Sequence, residues 1–443
     1  MTGPTRVVLG VSGGIAAYKA CELLRRFTES GHDVTVVPTA AALQFVGAPT
    51  WAALSGKPVT SEVWGSVHEV RHVRIGQTAD LVVVAPATAD LLAKAAHGLA
   101  DDLLTNALLT ARCPVVFAPA MHTEMWEHPA TQDNVATLRR RGALVIAPAE
   151  GRLTGTDSGT GRLPEPAEIF ELARDVLSRG AAADLLDLAG RHVVVSAGGT
   201  REYLDPVRFL GNRSSGLQGY ALARAAVARG AQVTVVAANV SLPTPAGVKV
   251  VPVETTGQLR DAVLAAVTGA DAVVMAAAPA DYRPQSTSTS KIKKAADGSA
   301  APVVQLEQTP DILAEISRDR ARPGSVVVGF AAETGDETGS VLDHARTKLA
   351  RKGCDLLVVN DVSGGKVFGE ADNAAVVLDS EGGATEVPRA SKSALAHVIW
   401  DHVVARFETG SSAHSTRDKV SRPKQQRQRG WRTWLDDSSP PSP

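Results

Sequence analysis

Aromatic residues are scarce in this chain of 443 residues: six Trp, four Tyr and eight Phe make up 4%. Its cores must therefore be built from Ala, Val and Leu, which suits buried parallel strands covered by Ala-rich helices. Cysteine is scarcer still. Cys21, Cys113 and Cys354 are odd in number, widely spaced and form no C-x-x-C pair, which excludes a disulfide framework and predicts a reducing compartment. Neither sign of charge is in excess. The 46 Lys and Arg against 47 Asp and Glu leave a net charge of −1, a poor footprint for a general nucleic-acid binder. No apolar run is long enough to span a membrane. The opening MTGPTRVVLGVSGG reaches glycines before a secretory apolar core forms. These absences predict a cytoplasmic protein with no membrane and no nucleic-acid partner.

What is present is a repeated alternation. Apolar runs at Val7–Val11, Val34–Val37, Leu81–Ala85, Val115–Ala118 and Leu144–Ala147 are predicted strands, with Ala/Leu-rich helical stretches between them. A helix is expected from about Ala16 to Ser30, closed by Gly31. Strands separated by helices imply βαβ units and a parallel sheet. After Gly180–Gly190 the pattern restarts at Val193–Ser196. The string VVLGVSGG is echoed by HVVVSAGG, and ADLVVVAPA by ADAVVMAAA. The fold class is therefore α/β, with two tandem doubly wound domains. The expected boundaries are 1–180, a linker over 181–190, 191–408, and a tail over 409–443. That tail carries seven basic residues between Arg417 and Arg432. It reads as a disordered solvated segment, or as a contact for an anionic partner anchored by Trp431 and Trp434.

Ser12-Gly13-Gly14 sits where a strand turns into a helix. Backbone N–H groups at such a turn suit an anion, although the G-x-G-x-x-G dinucleotide fingerprint is absent. A purely structural turn explains the glycines equally well. Thr39 and Pro86-Ala87-Thr88 end the next strands, and in open α/β sheets ligands bind beyond carboxyl ends. His72 lies just before the third strand. A lone histidine is ordinarily a packing or surface residue, and His68 and His72 lack the further ligands a zinc site needs.

Longer motifs then become specific. GVSGGIAAYK, HVRIGQTADLVVVAPATADLLAKAAHGLADDLL and APAMHTEMWEHPAT resemble the flavin-dependent phosphopantothenoylcysteine decarboxylases. SAGGTRE, LDPVRFLGNRSSG, MAAAPADYRP, KIKK, GFAAET and KGCDLLVVN resemble phosphopantothenate–cysteine ligase. The resemblance implies a flavodoxin-like or Rossmann-like flavoprotein domain followed by a Rossmann-like ligase domain, fused in a bifunctional enzyme of coenzyme A biosynthesis. It implies FMN against Ser12, Gly13, Gly14, Ile15, Thr39, Pro86, Ala87 and Thr88. His72 falls on the family's catalytic histidine. A carboxylate beside an ordinary amide has no place for the charge left by carbon dioxide. Prior oxidation of the thiol-bearing carbon supplies an electron sink, and that redox step belongs to the flavin. Two positions depart from the family. His122 stands for an Asn that would hold the substrate, and Gly155 stands where the lid often carries a proton-donating Cys. Thr154 and Asp157 are the remaining donor candidates there, and both read equally as turn residues.

For the second domain the resemblance implies CTP, Mg²⁺ and an acyl-cytidylate that cysteine's amine attacks. The CTP contacts would be Met275, Ala276, Ala277, Asp281, Lys291, Thr309, Pro310, Asp311, Ile312, Phe330, Lys348 and Lys352. Arg208 and Asn212 would stabilise and process the acyl-cytidylate, with Arg213 beside them. Lys291, Lys293 and Lys294 form a basic cluster on a Ser/Thr-rich loop. Three positions depart: Leu217 for Lys, Pro279 for Val and Thr309 for Asn. The metal ligands are not assignable. The small-molecule partners would be 4′-phosphopantothenate, cysteine, CTP and phosphopantothenoylcysteine, handled by a homo-oligomer. Two alternatives stand beside this reading. One is a relative in which only the decarboxylase turns over, and the other is a non-catalytic FMN-binding regulator.

Overall fold

The computed structural model describes residues 4–59, 71–153, 157–180, 186–293, 303–333, 340–361 and 372–417. The first sheet contains β1 (Arg6–Val11), β2 (Asp33–Pro38), β3 (Leu81–Ala87), β4 (Val115–Pro119) and β5 (Leu144–Val145). Their spatial order is β2-β1-β3-β4-β5, parallel throughout. That is the flavodoxin-like winding, whose switch point lies between β1 and β3. β3 is buried along its whole length, as an unbroken apolar run in a central parallel strand should be.

Two expectations shift here. β5 stops at Val145 rather than Ala147, because only Leu144 and Val145 pair with β4. Ile146 adds one N–H bond to Phe117, and Pro148 has no N–H to continue the ladder. The first helix begins as a 3₁₀ turn, Ile15–Tyr18, before Lys19–Glu29 becomes α-helical. The tight turn closes through the Ala17 N–H bonded to the Gly14 carbonyl at 2.9 Å.

A hairpin of β6 (Ala149–Arg152) and β7 (Ser158–Arg162) follows the first sheet. The second domain then supplies β8 (His192–Gly198), β9 (Glu202–Tyr203), β10 (Phe209–Leu210), β11 (Gln232–Ala238) and β12 (Val248–Val253). It continues with β13 (Ala272–Met275), β14 (Tyr282–Pro284), β15 (Leu306–Gln308) and β16 (Val326–Glu333). β17 (Leu356–Asp361), β18 (Asp372–Asp379) and β19 (Ala384–Ser391) complete the set. The large sheet runs β12-β11-β8-β13-β16-β17-β18-β19. Its first six members are parallel in the Rossmann order, and the last two are antiparallel. Two small ribbons, β9 with β10 and β14 with β15, stand off it.

The domains share one apolar core. Leu163, Ile169, Phe170 and Leu172 of the first lie in the same buried cluster as Tyr220, Leu222 and Trp400 of the second. The C-terminal helix Lys392–Arg417 docks there, and its Trp400 Nε1 donates to the Leu222 carbonyl at 2.9 Å. That helix continues past Thr409, where the sequence pattern had ended. The expected linker is also docked over its described half. Leu188 is fully buried, and Asp187 accepts two bonds from the buried Arg229 guanidinium at 2.8 and 2.6 Å. Among the described residues, no helix is long and apolar enough to cross a membrane.

Candidate functional site

Two clusters form, one at each switch point. In the first domain Ser12 is almost wholly buried. Its hydroxyl donates to the Pro86 carbonyl at 2.8 Å and accepts from the Thr88 N–H at 2.9 Å. The serine thus ties the end of β1 to the end of β3. Thr88 caps the next helix, its Oγ1 accepting from the Leu91 N–H at 3.4 Å. A Cβ on Gly14 would lie 3.6 Å from the Thr88 methyl, so the two loops face each other. Thr39 joins through its N–H bond to the Val11 carbonyl at 2.9 Å. The structure therefore brings Ser12–Ile15, Thr39 and Pro86–Thr88 to one carboxyl edge. With the Ser12 hydroxyl committed to the Pro86 carbonyl, the turn N–H groups and threonine hydroxyls form a donor set that fits a phosphorylated, flat ligand. Ile15 is 69% exposed and Tyr18 60%, so the cradle opens beside apolar surface.

His72 lies in the helix Arg71–Thr78, and its side chain falls outside the described residues. The helix is held close to its neighbour by Gly76, where a Cβ would meet the Ala107 carbonyl at 2.5 Å. His122 occupies the N-cap position of the short helix Thr123–Glu127 without a side-chain cap bond, and is exposed. The β6–β7 hairpin sits directly on this segment. The Met121 N–H donates to the Gly161 carbonyl at 2.9 Å, and a Cβ on Gly161 would lie 2.1 Å from the Met121 carbonyl oxygen. Thr154 and Gly155 lie outside the described residues, while Asp157 closes the hairpin by accepting the Leu153 N–H at 2.8 Å. Sequence reasoning missed Thr123. Its hydroxyl is buried without a hydrogen-bond partner and faces Gly159 of the hairpin.

The second cluster repeats the device. Ser196 is fully buried at β8, and its hydroxyl accepts the Ala277 N–H at 3.1 Å across the β8/β13 switch point. Gly198 has a φ of +84°, and a Cβ there would strike the Ala238 carbonyl at 2.0 Å, so only glycine fits this turn. Asn212 Nδ2 donates to the Pro279 carbonyl at 2.8 Å. Thr309 donates from Oγ1 to the Ala280 carbonyl at 2.6 Å and from N–H to the Asp281 carbonyl at 3.0 Å. Met275, Ala276 and Ala277 thus lie beside Asn212, Asp281 and Thr309. Phe330 is half-buried on the adjoining β16.

Pro310 leads into the helix Ile312–Arg318, which Asp311 caps by accepting the Ala314 N–H at 3.1 Å. Asp311 is also ion-paired with Lys352, so these two expected contacts are partners of each other. Burial pushes the Asp311 carboxyl up, but Lys352 and the cap hydrogen bond outweigh it and hold the carboxyl below its usual range. Lys348 lies one turn before Lys352 on the helix Val341–Lys352. Leu217 opens the helix Leu217–Ala228 behind Gly216. Lys291 and Lys293 are exposed, whereas Lys294 lies outside the described residues. Arg208 is not a loose cation: its Nε and Nη2 bond Asp205 at 3.0 and 2.5 Å. Asp205 was not singled out from the sequence, although an Asp-Pro pair is a recognisable turn signal.

Residues 1–178 match the flavoprotein family model, and residues 188–407 match the DNA/pantothenate metabolism flavoprotein C-terminal domain. The chain is 58% identical to the coenzyme A biosynthesis bifunctional protein CoaBC of Mycobacterium tuberculosis, over 93% of this chain and 98% of that relative. It is 42% identical to the protein of that name from Vibrio cholerae, over 89% and 96%. Among solved structures, the C-terminal domain of a CoaBC protein is 32% identical with a TM-score of 0.42, covering 50% of this chain and 98% of its own. A PPC decarboxylase mutant complexed with pantothenoylaminoethenethiol is 32% identical with a TM-score of 0.36, covering 39% and 97%.

Proposed function

The chain belongs to the family of bifunctional coenzyme A biosynthesis proteins, and from that premise we propose how its two sites divide the work. It is an enzyme with two activities, a phosphopantothenate–cysteine ligase in the second domain and an FMN-dependent phosphopantothenoylcysteine decarboxylase in the first.

Ligation needs activation, because a carboxylate and an amine form a salt rather than an amide. In this reading 4′-phosphopantothenate attacks CTP, pyrophosphate leaves, and cysteine's amine then displaces CMP from the acyl-cytidylate. Met275–Ala277, Asp281, Thr309–Ile312, Phe330, Lys348 and Lys352 receive the nucleotide. Lys291 meets charge developing on the leaving pyrophosphate, and Arg208 and Asn212 act on the acyl-cytidylate. Mg²⁺ arrives with the phosphates. Among the described residues no group of three or more His, Cys, Asp and Glu side chains is placed to hold a metal, and Mg²⁺ commonly rides on substrate phosphates.

In the first domain Ser12–Ile15, Thr39 and Pro86–Thr88 hold FMN. When bound, FMN supplies the reversible two-electron oxidation that makes the substrate carboxylate labile. His72 moves a proton near neutral pH, and His122 engages the substrate's carboxylate or amide. The β6–β7 hairpin covers the site and excludes water. The partners are the four small molecules of these reactions, in a cytoplasmic homo-oligomer. Self-association is supported by exposed Ile15, Tyr18, Phe45 and Met125 in the first domain.

The observation that supports this reading most is that Ser12–Ile15, Thr39 and Pro86–Thr88 meet at the first switch point, and that Asn212 and Thr309 bond the loop after β13 at the second, each point tied by a buried serine. The test is mass identification of products after incubation with 4′-phosphopantothenate, CTP, Mg²⁺ and cysteine. The expected product is 4′-phosphopantetheine. A second reading, in which only the decarboxylase turns over, is favoured by Leu217 at the helix start and by the Asp311–Lys352 pair. It predicts product from supplied phosphopantothenoylcysteine alone.

A further inference from the structure

Asp205 has no solvent exposure, yet its carboxylate collects five hydrogen-bond donors. Burial alone would raise its pKa. The Arg208 guanidinium and N–H groups of Val207, Ile292 and Arg208 instead hold it well below the usual carboxylate range. The two oxygens divide their work. Oδ1 accepts the Val207 and Arg208 N–H groups, both at 2.8 Å, which closes the local turn. Oδ2 accepts Arg208 Nε and Nη2 and also the N–H of Ile292 at 3.1 Å, from a distant part of the chain. Arg208 Nη2 in turn donates to the Ile292 carbonyl at 2.6 Å. The peptide groups on both sides of Ile292 are therefore clamped, and Ile292 follows Lys291 directly.

The clamp has a second point. Ser288 N–H donates to the Leu204 carbonyl and Thr287 Oγ1 to the Tyr203 carbonyl, each at 3.0 Å. The lysine segment is thus docked on the 203–208 turn at both of its ends, while the Lys291 side chain stays exposed. A turn needing only its own closure would not use Oδ2 in this way.

We propose that Asp205 is a positioning residue for ligation, which latches the 287–293 segment through Ile292 and Arg208 so that Lys291 is presented to the nucleotide phosphates. This rests on the reading that Lys291 acts on CTP. A pre-positioned cation lowers the barrier without reorganising during reaction, so the latch acts on kcat more than on binding.

The test uses the full FMN-loaded chain carrying Asp205→Asn, which keeps the shape and loses the charge. Three measurements are made: ligation kinetics, decarboxylation of supplied phosphopantothenoylcysteine, and tryptic cleavage after Lys291 and Lys293 read by mass. The expected result is a kcat for ligation lowered about 10- to 100-fold with CTP KM changed less than about threefold. Cleavage at the two lysines should be at least about tenfold faster, with decarboxylation unchanged. Asp205→Glu restores the charge and should recover part of both effects. If Asp205→Asn loses flavin or decarboxylation, Ile292→Pro decides instead, because it removes the N–H donor and leaves the buried carboxylate with Arg208; cleavage is then read after Lys293 alone, since trypsin does not cut a Lys–Pro bond. Wild-type cleavage rates in the folded variant overturn the latch, and faster cleavage with unchanged kcat overturns its role in ligation. A wild-type chain that does not ligate removes the reading of Lys291, and cleavage alone then judges the latch.

Discussion

At the residue scale, the seam between the domains holds a carboxylate with too little help. Asp175 is buried, its Oδ2 has no hydrogen-bond partner, and Arg224 Nε stays 4.0 Å away. Burial pushes its carboxyl up to about 6, against the lowering effect of the Ser393 hydroxyl and Arg224. The folded chain therefore keeps this proton to higher pH than the unfolded chain does. Its stabilising contribution is present below the ordinary carboxylate range and is lost as pH rises through about 6. Asp175→Asn should raise stability at pH 8 by up to about 3 kcal/mol and change little at pH 4, as read by thermal unfolding at both values. A second prediction concerns His72. His72→Asn should keep FMN absorbance and lower carbon dioxide release by about 10²-fold or more, the scale of losing a general base. Unchanged release would leave the histidine a packing residue.

At the element scale, the β6–β7 hairpin is held by close backbone contact with the segment before the Thr123–Glu127 helix. The 2.1 Å approach available to a Cβ on Gly161 leaves no room, and the obstacle is a backbone carbonyl that cannot rotate away. Gly161→Ala should lift the hairpin and lose the Met121–Gly161 hydrogen bond. Decarboxylation should fall about tenfold or more, since small misplacements near a reacting centre are costly. FMN binding and ligation should persist. A stopped-flow record of flavin reduction beside a ligation assay checks both halves on one sample. The serines at the two switch points belong to this scale as well. The Ser-Gly-Gly and Ser-Ala-Gly-Gly strings look like anion loops, but each hydroxyl is spent joining two strand ends. The backbone N–H groups of the turns then become the donors that matter for a ligand.

At the scale of the whole molecule, Arg229 joins the parts. It is 1% exposed and bonds Asp187 of the connecting segment, and its Nη1 lies 2.7 Å from Asp401 of the C-terminal helix. Nearby His397 is pushed down to about 4, chiefly by burial and then by the Arg229 and Arg179 charges, so it sits neutral. Without the guanidinium, Asp187 keeps only Arg179, Asp401 faces water, and the His397 carbonyl loses its donor. Arg229→Met should destabilise by about 1–3 kcal/mol. It should also split thermal unfolding into two calorimetric transitions, because the segment that couples the domains is released. A single transition at the original temperature would show that the apolar seam alone couples them.

The sequence by itself determined the number of domains, the strand-helix alternation and the chemistry expected at each strand end. Hydrophobic period and Ser-Gly turns are local properties, and long motifs carry a family resemblance. Only the tertiary structure decided which polar groups are already used. Ser12 bridges strands, Lys352 holds Asp311, and Arg208 serves Asp205 and Ile292, although each reads as an available ligand contact in the string. The docking of residues 186–190 and the continuation of the C-terminal helix to Arg417 were equally illegible. Their cause is the same. A polar side chain's partner is set by which distant segments the sheet brings together, here Asp205 with Ile292 and Asp187 with Arg229, and no local pattern encodes that distance.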